Sequence, residues 1–136
     1  MTQQPELILD ASALLAYLFD EPGADRVVTF LQQTCAISAV NFAEVLSKIS
    51  DHGVSASQAA DLMASRGRTG TVLQVWPFDE TQARELAQLR AKLRRSGLGL
   101  ADLACLALAG CLKLPVATAD RLWADLHTGI EVNCIR

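Results

Sequence analysis

Four carboxylates in this sequence stand where a short apolar run gives way to the next structural element. Asp10 and Asp120 each close such a run, while Glu44 and Asp102 lie near the starts of two predicted helices. If the runs are parallel strands, their carboxyl ends share one edge of a sheet, where ligands of such sheets bind. Four acids there would repel one another, and a hard divalent cation such as Mg²⁺ or Mn²⁺ would offset that repulsion through oxygen ligands.

Asp102 has the surroundings least suited to a charge. It lies in residues 98–112, which are apolar on nearly every side, as in a helix buried within a domain. An ionised carboxylate there is costly unless it is paired. The helix N-terminus stabilises this charge by only about 0.3–1 kcal/mol. We therefore expect a cation or a bound metal beside Asp102.

Three of the four acids also have a purely structural interpretation, which the residues alone leave open, and Asp102 fits such an interpretation least. Asp10 and Asp120 are suited to cap the helices that follow them. Glu44 fits the exposed face of an amphipathic helix, three residues after Asn41 on the same side. Asn41 is a candidate lining residue of the site to which Glu44 is assigned.

The elements that must position these acids alternate along the chain. Strands are predicted at residues 7–9, 35–38, 72–78, 116–119 and 130–135, and helices at 11–19, 24–33, 39–50, 56–66, 80–93, 98–112 and 121–127. This alternation predicts an α/β fold, a three-layer sandwich with a parallel central sheet of four to five short strands. Neither a linker nor an internal repeat is evident, so we expect a single domain spanning residues 1–136.

Composition narrows the class of protein. The chain has 136 residues, is 51% hydrophobic and carries a net charge of −3, so contact with a nucleic acid needs a local basic patch. The four cysteines form no Cys-x-x-Cys pair and are expected to behave as small hydrophobes. The start of the chain lacks the basic and apolar segments of a secretion signal, and the longest apolar run is too short for a bilayer. We therefore expect a reduced, cytoplasmic protein without a membrane partner.

One dense basic run could contact the phosphates of RNA. It lies on the helix that precedes the predicted helix 98–112, which carries Asp102. It consists of Arg90, Lys92, Arg94 and Arg95. A second, smaller cluster consists of Arg66 and Arg68. A solvated helix face explains any one of these residues equally well.

Four blocks of sequence carry a resemblance to a known family. They are Leu-Asp-Ala-Ser-Ala-Leu-Leu-Ala-Tyr-Leu (9–18) with Glu-Pro-Gly-Ala-Asp (21–25), Ile-Ser-Ala-Val-Asn-Phe-Ala-Glu-Val-Leu (37–46), Gly-Leu-Gly-Leu-Ala-Asp-Leu-Ala-Cys-Leu-Ala-Leu-Ala (97–109) and Leu-Pro-Val-Ala-Thr-Ala-Asp-Arg-Leu-Trp (114–123). In this order, over nearly the whole chain, they resemble PIN-domain ribonucleases, and most closely the VapC group of toxin–antitoxin toxins.

The resemblance implies a metal site and an activity. Its acids would be Asp10, Glu44, Asp102 and Asp120, with Ser12 and Thr118 as the small hydroxyl residues that line it. It implies a toxin that is an endoribonuclease and cleaves RNA with Mg²⁺ or Mn²⁺. Asp10 and Asp102 are then the primary ligands, and the other two acids complete the shell directly or through water.

Two positions depart from the pattern of these toxins. The third block commonly reads Leu-Gly-Asp-Arg, whereas here Leu103 replaces the basic residue. Gly99 stands where Ser is common. The four acids are intact, but any role of that arginine in contacting the substrate is put in question.

The resemblance also implies partners. A VapC-like toxin pairs with a small VapB-like antitoxin, whose C-terminal segment covers a groove and sends a basic residue towards the acids, and it forms a homodimer. Candidate groove residues on the first and third helices are Leu14, Leu15, Leu18, Val45, Leu46 and Ile49. Ordinary core packing is the competing, and favoured, interpretation of these six.

Three other functions agree with the residues to different degrees. A catalytically weak PIN-like module that binds RNA or a partner stays open because of Leu103. An acid-pocket phosphotransfer domain requires paired acids at the first strand and a lysine after the last strands, and both are missing. A haloacid-dehalogenase-type phosphatase requires a second Asp where Ser12 stands.

Overall fold

A parallel five-stranded sheet with helices on both faces organises the residues described by the computed structural model, 3–65 and 73–136. The strands are β1 (Leu7–Leu9), β2 (Cys35–Ser38), β3 (Leu73–Trp76), β4 (Val116–Thr118) and β5 (Val132–Cys134). The helices are α1 (Ala11–Leu18), α2 (Ala24–Phe30), α3 (Ala39–Ser50), α4 (Ala56–Ser65), α5 (Glu80–Lys92) and α6 (Leu100–Leu112), followed by a 3₁₀ helix (Arg121–Asp125). The predicted α/β fold with its parallel sheet is confirmed.

The strand order is β3-β2-β1-β4-β5, and every neighbouring pair is parallel. The chain first builds outward from β1 to β2 and β3, and then returns to the other side of β1 to place β4 and β5. The direction of winding therefore reverses between β1 and β4. In open parallel sheets this reversal opens a crevice at the carboxyl ends of the two strands, and ligands bind there.

Alternate residues of the central strands face two different cores. Leu7 and Leu9 of β1 pack with α1 and α2 on one face of the sheet, whereas Ile8 packs with α5 and α6 on the other. Because both faces are covered, the central strands β1, β2 and β4 are short, fully buried and almost entirely apolar rather than alternating. That pattern is the one the sequence shows.

Several elements end earlier than predicted because the backbone tightens into i→i+3 hydrogen bonds. The second helix was expected to reach residue 33, but it ends at Phe30, after which Gln32 and Gln33 donate to Thr29 and Phe30. The element predicted at 121–127 is a 3₁₀ helix that ends at Asp125.

The helix that carries Asp102 begins at Leu100 rather than at residue 98. Gly97, with φ of 75°, turns the chain in the left-handed region, and the amide of Leu98 donates to the Ser96 hydroxyl instead of entering the helix. The predicted third strand overlaps residues 66–72, which lie outside the described residues, as do Arg66 and Arg68. Among the described residues no helix is both long and apolar enough to cross a bilayer.

Candidate active site

Asp10 lies at the carboxyl end of β1, beside the point where the winding of the sheet reverses. Its side chain caps α1 by accepting a 2.8 Å hydrogen bond from the amide of Ala13 at Oδ1, which confirms the capping interpretation. The residue is only 5% exposed. A carboxylate held in this way has a fixed position at the crevice.

Two hydroxyl groups complete the hydrogen bonding of Asp10. Ser12 Oγ donates to Oδ1 at 2.7 Å and lies 2.9 Å from Oδ2, while Thr118 Oγ1 donates to Oδ2 at 2.5 Å. The same hydroxyls accept from the backbone beyond β4, from Ala119 to Ser12 at 2.9 Å and from Asp120 to Thr118 at 3.0 Å. This Asp10–Ser12–Thr118 network joins the ends of β1 and β4.

Burial raises the pKa of Asp10 from its ordinary value to about 6. The hydrogen bonds from Thr118, Ala13 and Ser12 act in the opposite direction, and the charge of Asp102 adds to the increase. Loss of hydration therefore outweighs three favourable hydrogen bonds. The ionised form lacks a cation among the groups that set this pKa, and a bound cation would supply one.

Asp102 occupies the first turn of α6 and is half-buried. Its Oδ2 accepts a 3.2 Å hydrogen bond from the amide of Gly99, the residue just before the helix. Burial raises its pKa, the Gly99 bond lowers it, and the charge of Asp120 raises it. The helix behind it is apolar as predicted, with residues 103–109 all buried.

Asp120 follows β4 and caps the 3₁₀ helix, since Oδ1 accepts a 3.0 Å hydrogen bond from the amide of Leu122. Its charge acts on Asp102, and that of Asp102 acts on Asp10. Asp102 is thus within electrostatic range of both Asp10 and Asp120. All three also make local capping bonds, so the structural and the chemical interpretations of these residues coexist.

Glu44 lies on α3 with an exposed side chain. It makes no hydrogen bond or ion pair with another described residue. Its membership of the site stays a prediction. Asn41, one helical turn earlier, points inward: it is 2% exposed, and its Nδ2 donates a 3.0 Å hydrogen bond to the carbonyl of Ala101 on α6. Its Oδ1 is buried and has no hydrogen-bond partner within the described part of the chain.

The donors at the crevice have the chemistry of a site for Mg²⁺ or Mn²⁺, because carboxylate and hydroxyl oxygens are hard ligands. The side chains are spread out rather than clustered: within residues 3–65 and 73–136 no three His, Cys, Asp or Glu side chains form a group suited to hold a metal ion. The residues therefore fit such an ion by type and charge, with Asp10 and Asp102 as the pair whose repulsion it would relieve.

Cys105, a neighbour that sequence reasoning did not single out, is buried on α6 behind the two acids. Burial and then the charges of Asp10 and Asp102 raise the pKa of its thiol well above the ordinary value. It follows Asp102 by three residues, and this helical spacing was the available signal. A neutral thiol here contributes packing beneath the acids.

The predicted basic run lies along the end of α5 and the segment after it. Arg90, Lys92, Arg94 and Arg95 are all exposed. Arg90 and Arg94 line an open groove of about 690 Å³, whose floor includes Leu103, the residue after Asp102. Leu103 itself is 1% exposed and belongs to the core, so the apolar residue at this departing position is packed.

Comparison with solved structures finds the same fold in proteins of low sequence identity. A toxin–antitoxin complex from Klebsiella pneumoniae aligns with a TM-score of 0.75 and 18% identity, over 96% of this chain and 98% of that one. A DNA-bound VapBC from Salmonella typhimurium gives 0.71 and 20%, over 98% and 100%. The toxin VapC20 of Mycobacterium tuberculosis, which cleaves the sarcin–ricin loop, gives 0.63 and 14%, over 93% and 99%.

Comparison with curated protein sequences finds no match. The sequence profile of the PIN domain, in contrast, matches residues 7–127, a span that includes Asp10, Glu44, Asp102 and Asp120. The match extends from β1 through the 3₁₀ helix after β4. With a fold of the same kind around the crevice, the chain belongs to the PIN domain family.

Proposed function

We propose that this protein is the toxin of a VapBC-type toxin–antitoxin pair and that it is a metal-dependent endoribonuclease. The observation that carries the proposal is the network in which Ser12 and Thr118 hold Asp10 at the switch point of the sheet, with Asp102 in electrostatic range of Asp10 and Asp120 in electrostatic range of Asp102. The resemblance to toxin–antitoxin structures and to a toxin that cleaves an RNA loop supports the choice of substrate.

The chain's own groups define what the site contributes. Asp10 and Asp102 would hold the metal ion, with Asp120 and Glu44 completing its surroundings directly or through water. When bound, such an ion activates a water molecule and neutralises charge developing on the phosphate. The two hydroxyls keep both oxygens of Asp10 in place, so the carboxylate needs little reorganisation when it loses its proton.

Cleavage of RNA by the purified chain in Mg²⁺ or Mn²⁺ tests the activity. We expect cleavage to stop in EDTA and to fall at least 100-fold in Asp10→Asn and in Asp102→Asn, because each removes a metal ligand. Asp61→Asn is a matched control, since Asp61 is an exposed acid on α4. Undiminished cleavage by either site variant would refute the assignment.

A catalytically weak module that binds RNA or a partner is the second candidate. It is favoured by the spread of the acids, since no three of the described His, Cys, Asp or Glu side chains are grouped to hold a metal. Expression in a bacterial host separates the two candidates. A nuclease arrests growth and Asp10→Asn relieves the arrest, whereas for a binding module the substitution leaves the growth phenotype unchanged.

An antitoxin is the proposed partner, and a groove beside α1 and α3 is its proposed binding site. The groove has a volume of about 590 Å³ and is lined by Leu15, Phe19, Lys48 and His52, among others. Phe19 is exposed at its edge and stacks on His52 with ring centroids 4.7 Å apart. The solved structures that share the fold include a toxin–antitoxin complex from Klebsiella pneumoniae and VapBC from Salmonella typhimurium and Rickettsia felis, which supports a protein partner of this kind.

The six candidate groove residues divide between core and surface. Leu14 and Val45 are fully buried in the core, as the favoured interpretation expected. The others are only partly buried, namely Leu15, Leu18, Leu46 and Ile49.

We expect Phe19→Ala to weaken binding of the protein encoded beside this one at least tenfold, with Val28→Ala on α2 as an exposed apolar control. A VapC-like toxin would also form a homodimer, which sedimentation velocity measures.

A further inference from the structure

The arginines of this protein differ in whether the fold supplies them with a partner. Arg84 pairs with Glu80 at 2.8 Å, and Arg26, Arg121 and Arg136 donate to backbone carbonyls. Arg90 and Arg94 make no ion pair or hydrogen bond with any described residue. Two exposed, unpaired arginine side chains therefore line the same groove on a protein of net negative charge.

The groove beside them has apolar walls and carries no carboxylate. Leu93 and Leu98 are half-buried in its sides, Leu103 lies at its floor, and Gly97 forms the turn at one end. Two other grooves on the surface do contain acids, Glu85 and Glu131 in one and Glu21 in the other. Of these three grooves, this one alone is lined by cations without an acid, which suits a polyanion.

The groove also adjoins the candidate active site. Its floor residue Leu103 is bonded directly to Asp102, and its rim residue Leu98 precedes Gly99, whose amide holds the Asp102 carboxylate. The groove and Asp102 are therefore neighbours along residues 98–103, and an RNA chain bound at the acids has this groove beside it. A second copy whose two-fold axis passed through the groove would bring like charges together, which disfavours that arrangement.

We propose that this groove is a nucleotide subsite for the RNA substrate, in which Arg90 and Arg94 hold backbone phosphates and the leucine walls take one unstacked base. The inference rests on the proposed function, since it names how the same RNA is held. Arginine forks bind phosphate oxygens well, and an apolar wall accepts the face of any base. Leu98 thereby becomes a base-contacting residue, and recognition favours RNA whose bases are unpaired.

Binding of a fluorescent 12-nucleotide single-stranded RNA tests the phosphate contacts. It is measured by anisotropy as a function of salt, with Ca²⁺ in place of Mg²⁺ and the RNA checked for integrity on a gel. For single strands each lost phosphate contact lowers the salt slope by about 0.7, so Arg90→Gln/Arg94→Gln is expected to lower it by about 1.4. Arg84→Gln, on the same helix but paired with Glu80, is the matched control and is expected to leave the slope unchanged.

The base contact is tested with a set of RNAs in which one nucleotide at a time is abasic. We expect one position at which the loss of the base weakens RNA binding by the wild-type protein about tenfold. At that position the same loss is expected to leave RNA binding by Leu98→Ser unchanged. The same RNA in a duplex is expected to bind the wild type more weakly than the single strand does. Leu98→Ser is expected to bind the duplex and the single strand equally.

Normal RNA binding by the groove variants would overturn the subsite, and so would three further results. They are an equal change of slope in Arg84→Gln, an abasic profile that is flat in the wild type, and a shift of the sedimentation coefficient in Arg90→Gln/Arg94→Gln, which would make this face a protein interface. Cleavage of RNA by the wild type in Mg²⁺ is scored separately. If the wild type cleaves but the groove variants bind RNA normally, the subsite fails and the proposed function stands.

Discussion

The hydroxyl of Thr118 donates a 2.5 Å hydrogen bond to Oδ2 of Asp10, between residues separated by 108 positions in the sequence. The same hydroxyl accepts from the amide of Asp120 at 3.0 Å. One side chain thus fixes a predicted ligand on β1 and orients the backbone of the acid that follows β4. Because the hydroxyl donates in one direction and accepts in the other, a methyl group cannot replace it.

Thr118→Val is expected to lower the stability of the protein by about 1–3 kcal/mol, because the amide of Asp120 loses its acceptor and Asp10 its donor. The Thr118 bond is also the largest influence that lowers the pKa of Asp10, so its loss raises that pKa further and moves the rise of cleavage activity to higher pH. Urea unfolding and a pH–rate profile measure the two effects. Thr118→Ser, which keeps the hydroxyl, is the control, and a Val profile identical to the wild type would contradict the role.

Asp10→Asn is expected to abolish cleavage and to raise the stability of the metal-free protein at neutral pH. The folded-state pKa of about 6 exceeds the ordinary value of 3.8, so between these values the native state binds more protons than the unfolded state and stability falls as pH rises. The ionised carboxylate costs on the order of 3 kcal/mol above pH 6.

The neutral amide avoids that cost. In EDTA we expect Asp10→Asn to melt several degrees above the wild type at pH 7.5 and close to it at pH 3, below both pKa values, where Asp10 is largely protonated in the folded and the unfolded state. Thermal unfolding at the two pH values measures this, with the exposed Asp61→Asn as control. A lower melting temperature for Asp10→Asn at pH 7.5 would contradict the assigned pKa direction.

Cleavage is expected to increase with pH through about 6, because Asp10 binds a cation only after it loses its proton. The pKa of Asp102 is raised as well, so its ionisation adds to the rise. Since a cation competes with protons for the same oxygens, a higher Mg²⁺ concentration is expected to move the midpoint to lower pH. Initial rates measured over pH 5–8 at two metal concentrations test this, and a midpoint independent of metal would exclude Asp10 as a ligand.

Local patterns predicted the strands and the caps well. A short apolar run followed by an acid identified both β1 with Asp10 and β4 with Asp120. A strand buried on both faces and the cap that follows it each depend only on residues adjacent in the sequence. The same reasoning placed Asp102 at the start of a buried helix. These signals lie within a few residues of the positions they describe.

Contacts between distant segments were beyond the reach of such patterns. The partner of Thr118 is 108 positions away and that of Asn41 is 60 away, so neither bond leaves a periodic trace in the sequence. Asn41 and Glu44 were expected on one side of their helix, yet Asn41 is buried against α6 and Glu44 is exposed. A turn of an α-helix advances by 3.6 residues, and the packing of α3 against its neighbours decides which of the two faces inward.

The bond from Asn41 to the carbonyl of Ala101 ties α3 to the first turn of α6, immediately before Asp102. Asn41→Ala removes this tie. We expect a modest loss of stability, about 1 kcal/mol for one hydrogen bond, together with a larger effect on the site, in which the Mg²⁺ concentration for half-maximal cleavage rises at least fivefold.

Gln82 offers a matched control for this prediction. It is likewise a buried amide whose nitrogen donates to a backbone carbonyl, that of Pro77 at 2.9 Å, and whose oxygen has no partner within the described residues. It lies at the start of α5, on an element that carries none of the four acids. Gln82→Ala is therefore expected to cost similar stability while leaving the metal dependence unchanged. Urea unfolding and metal titrations of cleavage compare the two variants, and an equal shift in metal dependence for both would reduce Asn41 to a packing role.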